Sequence, residues 1–294
     1  RWTVGRNASI KAGYMRNYQY IHLTSLSPTS LPTDVWLPST EVLQPQIGNQ
    51  WSAGYFRNFA DNKWESSVDI YYKTMANQSE YKEGAQPDQT INDNIDNLLV
   101  FGSGTSYGIE FFLKKAIGKL NGWIGYTWSK TDRTFEAING GKPFPTRWDR
   151  RHDLSFVANY KLHPRLDLGF VFVYSTGNAI TLPSERYFYE NNIVDVYTNR
   201  NGFRMAPYHR ADVSATWHMK NSRSENTADG EVKVRKRNFK SNWNFSVYNL
   251  YNRMNPYFIY FGSEGQLQNG VIQIKAYQVS LFPVLPSVTW NFEF

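Results

Sequence analysis

From Trp64 to Thr74 apolar and polar side chains alternate. Trp64, Ser66, Val68, Ile70 and Tyr72 fall on one side, and Glu65, Ser67, Asp69, Tyr71 and Lys73 on the other. A two-residue period marks a β-strand with one greasy and one wet face. The period returns where Tyr107, Ile109, Phe111 and Leu113 alternate with Gly108, Glu110, Phe112 and Lys114, and again from Asp153 to Lys161 and from Leu166 to Ser175. Asp212 to His218, Asn242 to Val247 and the closing LPSVTWNFEF follow suit, with weaker candidates at Ile10 to Ile21, Gln50 to Phe59 and Trp123 to Thr131. About ten strands of roughly ten residues are predicted, whereas strands in soluble proteins run nearer five or six. Nine to eleven tilted residues cross a bilayer, so length favours a membrane.

The connections carry a second signal. Long stretches at 22–49, 77–104, 133–149, 178–206 and 251–276 alternate with the short turns ADNK, AIGKLN and LHPR. Outer-membrane barrels have this asymmetry, with short periplasmic turns and long outer loops. One connection on the short side, KNSRSENTADGEVKVRKRNFK, is too long for a tight turn. Its basic run Lys233 to Arg237 reads as a solvated turn, with an acidic partner or lipid headgroups as the sharper alternative. Trp51, Trp64, Trp123, Trp128 and Trp217 sit near strand ends and suit interface girdles. A soluble antiparallel sandwich would explain the alternation but neither the strand length nor the alternating gap lengths.

Composition removes other classes. Aromatic residues make up 17% of the 294 residues, yet mean hydropathy is −0.56, and no apolar run reaches the length of a spanning helix. There is no Cys, which excludes disulfide scaffolds and cysteine-based zinc sites. The net charge of +7 comes with 25 acidic residues and no nucleic-acid-binding motif, so no nucleic-acid partner is expected. Five His and no defensible Ser, His and acid set give the expectation that the chain is not an enzyme. No cofactor is expected. The opening RWTVGRNASI has neither Met nor a signal-peptide pattern and reads as the middle of a longer protein.

The stretches IKAGYMRNYQYIHL, TDVWLPS, GYFRNF, RWDRRHDLS, YSTGNAITLPS, NGFRMAPYHRADVSATW, WNFSVYNLYNRMNPYFIYF and VSLFPVLPSVTWNFEF span nearly the whole chain. In them the sequence resembles the TonB-dependent outer-membrane receptors, in the form found in Bacteroidetes-type bacteria. The resemblance implies an all-β fold, a transmembrane antiparallel β-barrel in which these are about ten C-terminal strands of a 22-stranded barrel. Residues 1–294 would then be the C-terminal portion of the barrel, with the plug domain absent from this sequence. It also implies active import of a scarce ligand, such as an iron chelate, glycan or peptide, driven by TonB, ExbB and ExbD acting through that plug. A passive or adhesive barrel without TonB coupling is the alternative. The expected location is the outer membrane of a Gram-negative bacterium, with lipopolysaccharide and outer-membrane lipid as partners and a surface lipoprotein as a further candidate. Trp290, Phe292 and Phe294 resemble the C-terminal signal that the outer-membrane insertion machinery reads.

Candidate site residues fall in two groups. On the wet faces Lys73, Glu110, Lys114, Asp153, Lys161, Asp212 and His218 are expected to face the lumen, where solvation or plug packing competes with a ligand route. In the outer loops Trp36, Phe144, Arg147, Trp148, Arg150, Arg186, Tyr187 and Tyr189 could stack on or hold a ligand, or simply stabilise the loops. Asp149, His152 and Asp153 have metal-ligating chemistry, but they straddle a turn. The preferred reading of RWDRRHD is a structural loop-to-strand motif, and no metal site is expected.

Overall fold

A computed structural model describes residues 1–24, 35–82, 95–189, 192–196, 199–220, 222–226, 232–236, 239–264 and 273–294, some of the outlying hairpin residues by backbone alone. Ten long strands carry it: β1 (Ala8–Gln19), β2 (Gln46–Phe59), β3 (Trp64–Tyr81), β4 (Leu99–Lys115) and β5 (Leu120–Thr134), then β6 (His152–His163), β7 (Leu166–Ser175), β8 (Tyr208–His218), β9 (Lys240–Tyr248) and β10 (Leu285–Glu293). Each pairs antiparallel with the next, so spatial order equals chain order. Two short strands extend this sheet, Trp2–Thr3 along β1 and Phe144–Pro145 beside β5. The sheet is open, with β10 at one edge and Trp2–Thr3 on β1 at the other.

The alternation becomes two physical faces. Ladder partners put Tyr14, Trp51, Tyr72 and Tyr107 in one cross-strand row, with rings 5.4 and 6.2 Å apart in the first two pairs. Leu166, Trp217, Trp243 and Trp290 form another row near the tight turns, where the Trp243 and Trp290 rings stack at 5.8 Å. Ile70, Phe111, Ile124 and Phe156 on the same face are exposed. The apolar face is therefore turned outward, with aromatic rows toward both ends, as a membrane girdle requires.

The tight turn after β2 is built from residues that accept a left-handed backbone. Ala60, Asp61 and Asn62 have φ of 51°, 55° and 60°, and the Lys63 amide donates to the Ala60 carbonyl at 3.1 Å. Asp and Asn tolerate this region better than other side-chain-bearing residues.

The structure departs from the sequence expectations in four places. β3 runs on to Tyr81, past the Thr74 boundary, because Ala76 and Asn77 bulge opposite a single residue of β4. Asn77 takes φ 56° and its side-chain amide donates to the Pro45 carbonyl at 2.9 Å, so the alternation breaks while pairing continues. Trp123 is not on the outer face: it lies opposite Lys114 and its ring is 6.0 Å from Phe112, on the polar side. The long connection after β8 is a hairpin, Ser222–Asn226 with Val232–Lys236. The last barrel strand starts at Leu285, because Gln273–Ser280 pairs with Pro256–Glu264 in an outer hairpin. Similar short hairpins, Ile21–Thr24 with Val35–Pro38 and Glu185–Tyr189 with Asn192–Val196, occupy two other long connections.

Depth on the outer face sets the cost of a charge. In the full-length protein in lipid, Phe170→Arg at the middle of β7 is expected to lower unfolding stability by about 2–4 kcal/mol, and Leu166→Arg at its end by about 0–1 kcal/mol. Urea unfolding from vesicles, followed by heat-modifiable mobility, checks both; equal costs would mean this face does not lie against hydrocarbon.

Candidate functional site

At the long-loop end the connections pack into a head with its own small cores. Leu43, Tyr81 and Leu99 form one, with Leu37 and Leu98 against it. Phe135, Ile138 and Phe144 form the other, the two Phe rings stacked at 5.9 Å. Polar pins tie distant segments together. Asp149 is buried; its carboxylate accepts from the Thr131 amide at 2.7 Å and from Arg204 Nη2 at 2.6 Å. Arg204 Nη1 also donates to the Asp149 and Gly177 carbonyls. Arg200 Nη2 donates to the Tyr81 carbonyl at 2.8 Å, Asn201 to the Pro145 carbonyl, and Arg133 pairs with Glu80 at 2.6 Å. Burial raises the strength of such charge-assisted bonds and leaves the loops few alternative arrangements.

The predicted loop residues divide on this scaffold. Trp36 and Trp148 are exposed, and the Arg147 guanidinium lies 4.2 Å from the Trp148 ring centre. Arg150 is half exposed, donates to Ser175 Oγ at 3.2 Å and stands 4.0 Å from Asp153. Phe144 is a correction: it is buried in the loop core, where its ring serves packing and meets no solvent. Arg186, Tyr187 and Tyr189 lie on a described strand, but their side chains are outside the described residues. Asp149, His152 and Asp153 do not converge. Asp149 is held by Arg204, His152 Nδ1 shares a 2.8 Å hydrogen bond with the Tyr126 hydroxyl on the outer face, and Asp153 is on the other side of the sheet. Among the described residues no cluster has the makings of a metal site.

A second corner, of which sequence reasoning named only Asp212, holds the outer end of β8 and β9. Asp212 accepts from Arg210 Nε and from the Asn249 amide, and Arg210 Nη1 donates to the Tyr208 and Tyr248 hydroxyls. Buried Asn249 has φ 54°, and its side chain joins the Arg253 amide and carbonyl to the Phe282 carbonyl. The repeated Asn in YNLYNRMN was the available signal.

With this geometry in place, the known proteins it matches become informative. The family described as TonB dependent receptor-like, beta-barrel, matches residues 1–252. The chain belongs to that family. Solved structures with the same fold include the ferripyoverdine receptor of Pseudomonas aeruginosa, at 12% identity and TM-score 0.56 over 99% of this chain and 31% of that one. The FrpB iron transporter of Neisseria meningitidis matches at 13% and 0.53, over 99% and 38%. BauA, the ferric preacinetobactin receptor of Acinetobacter baumannii, matches at 14% and 0.52, over 98% and 34%. The chain thus spans about a third of the length of these structures. No protein of curated function matches it.

Receptor barrels of this family lie in the outer membrane of Gram-negative bacteria, which puts the loop head outside the cell and the tight turns in the periplasm. The polar side of the receptor sheet is then the lumenal one. Lys73 lies there opposite Gln50 and Ser106, and Glu110 and Asp153 share a row with Asp69, Thr127 and Ser175. Directly opposed Asp69 and Glu110 repel each other, so this wall favours a cationic or hydrogen-donating neighbour. His218 Nε2 meets Asp167 Oδ2 at 2.8 Å at the periplasmic end, beside a cleft of about 310 Å³ that it lines with Asn242, Asn291 and Glu293. On the outer face of the same end Trp290, Phe292 and Phe294 are exposed, their rings clustered around Phe239.

In the first outer hairpin of the receptor His22 is buried with both ring nitrogens engaged. Gln78 donates to Gln46 and Gln46 Nε2 contacts His22 Nδ1; His22 Nε2 contacts Ser39 Oγ, which donates to the Tyr20 carbonyl. The chain of donors fixes a neutral ring with its proton on Nε2, and burial lowers the His22 pKa below its ordinary 6.5. A lowered pKa means the stabilisation is present above pH 6.5 and is lost as pH falls below it, because the unfolded hairpin takes up the proton first.

Two outcomes are expected. Asp149→Asn should weaken the loop head by about 2–3 kcal/mol, less than the loss of a fully buried pair because Arg204 keeps some water. Protease sensitivity of 133–149 and 177–205 should rise while the barrel stays folded. Lowering the pH from 8 to 5 should raise hydrogen exchange at 20–24 and 36–46, corrected for intrinsic rates, by at most about tenfold per pH unit below 6.5. His22→Phe should flatten that dependence.

Proposed function

We propose that this chain supplies the C-terminal wall and part of the mouth of a TonB-coupled importer of a ferric chelate. The observation that carries the reading is the pinned loop head, which holds half-exposed Arg150 beside the lumen-facing Asp153 and Ser175 and leaves Trp148 exposed. Arg can bind the carboxylates or hydroxamate oxygens of a chelate and Trp can cover its organic rim. The printed identities of the structural relatives, receptors or transporters for ferripyoverdine, iron and ferric preacinetobactin, support the same cargo class. In this reading TonB, ExbB and ExbD act through a plug, β10 presents Trp290, Phe292 and Phe294 to the insertion machinery, and the barrel sits among outer-leaflet glycolipids. A surface lipoprotein partner belongs to the Bacteroidetes-type version of the reading. No catalytic step is assigned.

Uptake of ⁵⁵Fe-labelled chelates by cells expressing the full-length receptor tests this. Accumulation should require TonB and collapse when the proton gradient is dissipated. Arg150→Ala should raise the half-saturating chelate concentration about tenfold, roughly 1.4 kcal/mol, with assembled receptor unchanged. Uptake that survives loss of TonB would replace the reading with a passive barrel.

A further inference from the structure

At the tight-turn end of the outer face four rings gather on one patch. Trp290, Phe292 and Phe294 stand along β10 with successive ring centres 4.7 and 5.6 Å apart. The fourth ring belongs to a different strand. Phe239 immediately precedes β9, and its ring lies 6.5, 6.3 and 5.4 Å from Trp290, Phe292 and Phe294 in turn. Ser241, the ladder partner of Phe292, is small and leaves room for that approach. All four rings are exposed, from 37% at Phe239 to 89% at Phe294. Elsewhere at this end the cross-strand pairs bring one ring from each strand, Phe59 with Trp64 and Trp217 with Trp243, which already serves as a membrane girdle.

The last two strands are locked together at both ends. At the outer end Asn249 Nδ2 donates to the Phe282 carbonyl at 3.3 Å, and the Val284 amide donates to Asn252 Oδ1 at 3.0 Å. The ladder then runs from Tyr248 opposite Leu285 down to Lys240 opposite Glu293, where Lys240 Nζ meets Glu293 Oε2 at 3.1 Å. Pairing of β9 with β10 therefore carries Phe239 onto the C-terminal rings. The far edge of β10 stays open.

We propose that Phe239 is the fourth member of the C-terminal aromatic signal, so that the insertion machinery recognises a cluster built by two paired strands and not the terminal strand alone. The partner's chemistry follows from the patch: a strand edge that pairs along open β10, flanked by an apolar groove that takes the rings. Clustered aromatics that lose water together make strong anchors. A signal confined to β10 would be present in any unfolded copy of the chain. One completed by Phe239 exists only after β9 and β10 have paired, and it selects chains ready to be templated. The proposal rests on the reading that β10 is presented to that machinery and is independent of cargo.

The test uses the full-length receptor, labelled during synthesis and added to vesicles that contain the purified insertion machinery. Capture is read by pulling the machinery down at early times, and assembly by heat-modifiable mobility. Phe239→Leu should lower capture about tenfold, and Phe239→Tyr should keep the wild-type level. Early capture precedes barrel formation, so a merely structural Phe239 would leave it unchanged and lower only the urea midpoint of the assembled barrel. Because the rings act as one anchor, Phe239→Leu added to Phe292→Leu should cost less than it does alone. Undiminished capture of Phe239→Leu, with capture lost on deletion of Phe294, would overturn the proposal and leave a signal confined to β10. Additive losses would also overturn it, by making Phe239 a separate contact. If deletion of Phe294 leaves capture intact, the reading of β10 as a signal falls together with the proposal. Chelate uptake is measured separately and stands or falls by its own result.

Discussion

A peptide group in hydrocarbon has no water to bond with, and an unpaired N–H or C=O there costs several kcal/mol. Everything in this barrel segment follows from that constraint. Ten consecutive strands pair edge to edge with no crossover, so away from the two edges and the bulge at Asn77 the backbone donors find acceptors on a neighbouring strand. Once pairing is obligatory, side chains can only alternate between lipid and lumen. The apolar rows outside and the Asp, Glu, Lys and Asn inside are the result. The same constraint makes both edges of the open sheet demand a partner in the membrane.

Above the bilayer the constraint lifts, and a different economy of interactions takes over. Loop segments far apart in sequence are joined by a few buried charges and asparagines: Asp149 with Arg204, Arg200 with the Tyr81 carbonyl, Asn249 with Arg253. Buried ion pairs add little net stability compared with apolar packing, yet a mismatched arrangement would strand a charge. They therefore select one loop conformation from many and fix where Arg150 and Trp148 stand on it. His22 extends the principle with a row of neutral donors whose direction is fixed from Gln78 to the Tyr20 carbonyl.

The membrane part was legible in the sequence because period-two alternation records a two-sided environment directly. Leu166–Ser175 is reproduced residue for residue, and ADNK falls between strands in full, while AIGKLN and LHPR shrink to 116–119 and 164–165 because the flanking strands run further. Legibility failed where that environment ends. The bulge at Asn77 resets the phase of β3, so residues beyond Thr74 look irregular although they pair. Phe144 looks like any loop aromatic, and only its contact with Phe135 and Ile138 makes it core. Asp149 meets Arg204 across 55 residues of chain, a distance over which no local pattern can announce a partner. Trp123 shows the converse: an aromatic at a strand end suggested a girdle, but parity places it with Phe112 inside.

β3 and β4 have 18 and 17 residues. At about 3.3 Å per residue a strand of that length is about 60 Å long, and even at a 45° tilt it rises some 15 Å beyond a 25 Å apolar band. The wall therefore continues as a stiff parapet above the apolar band, and the loop head it carries stands clear of the membrane surface.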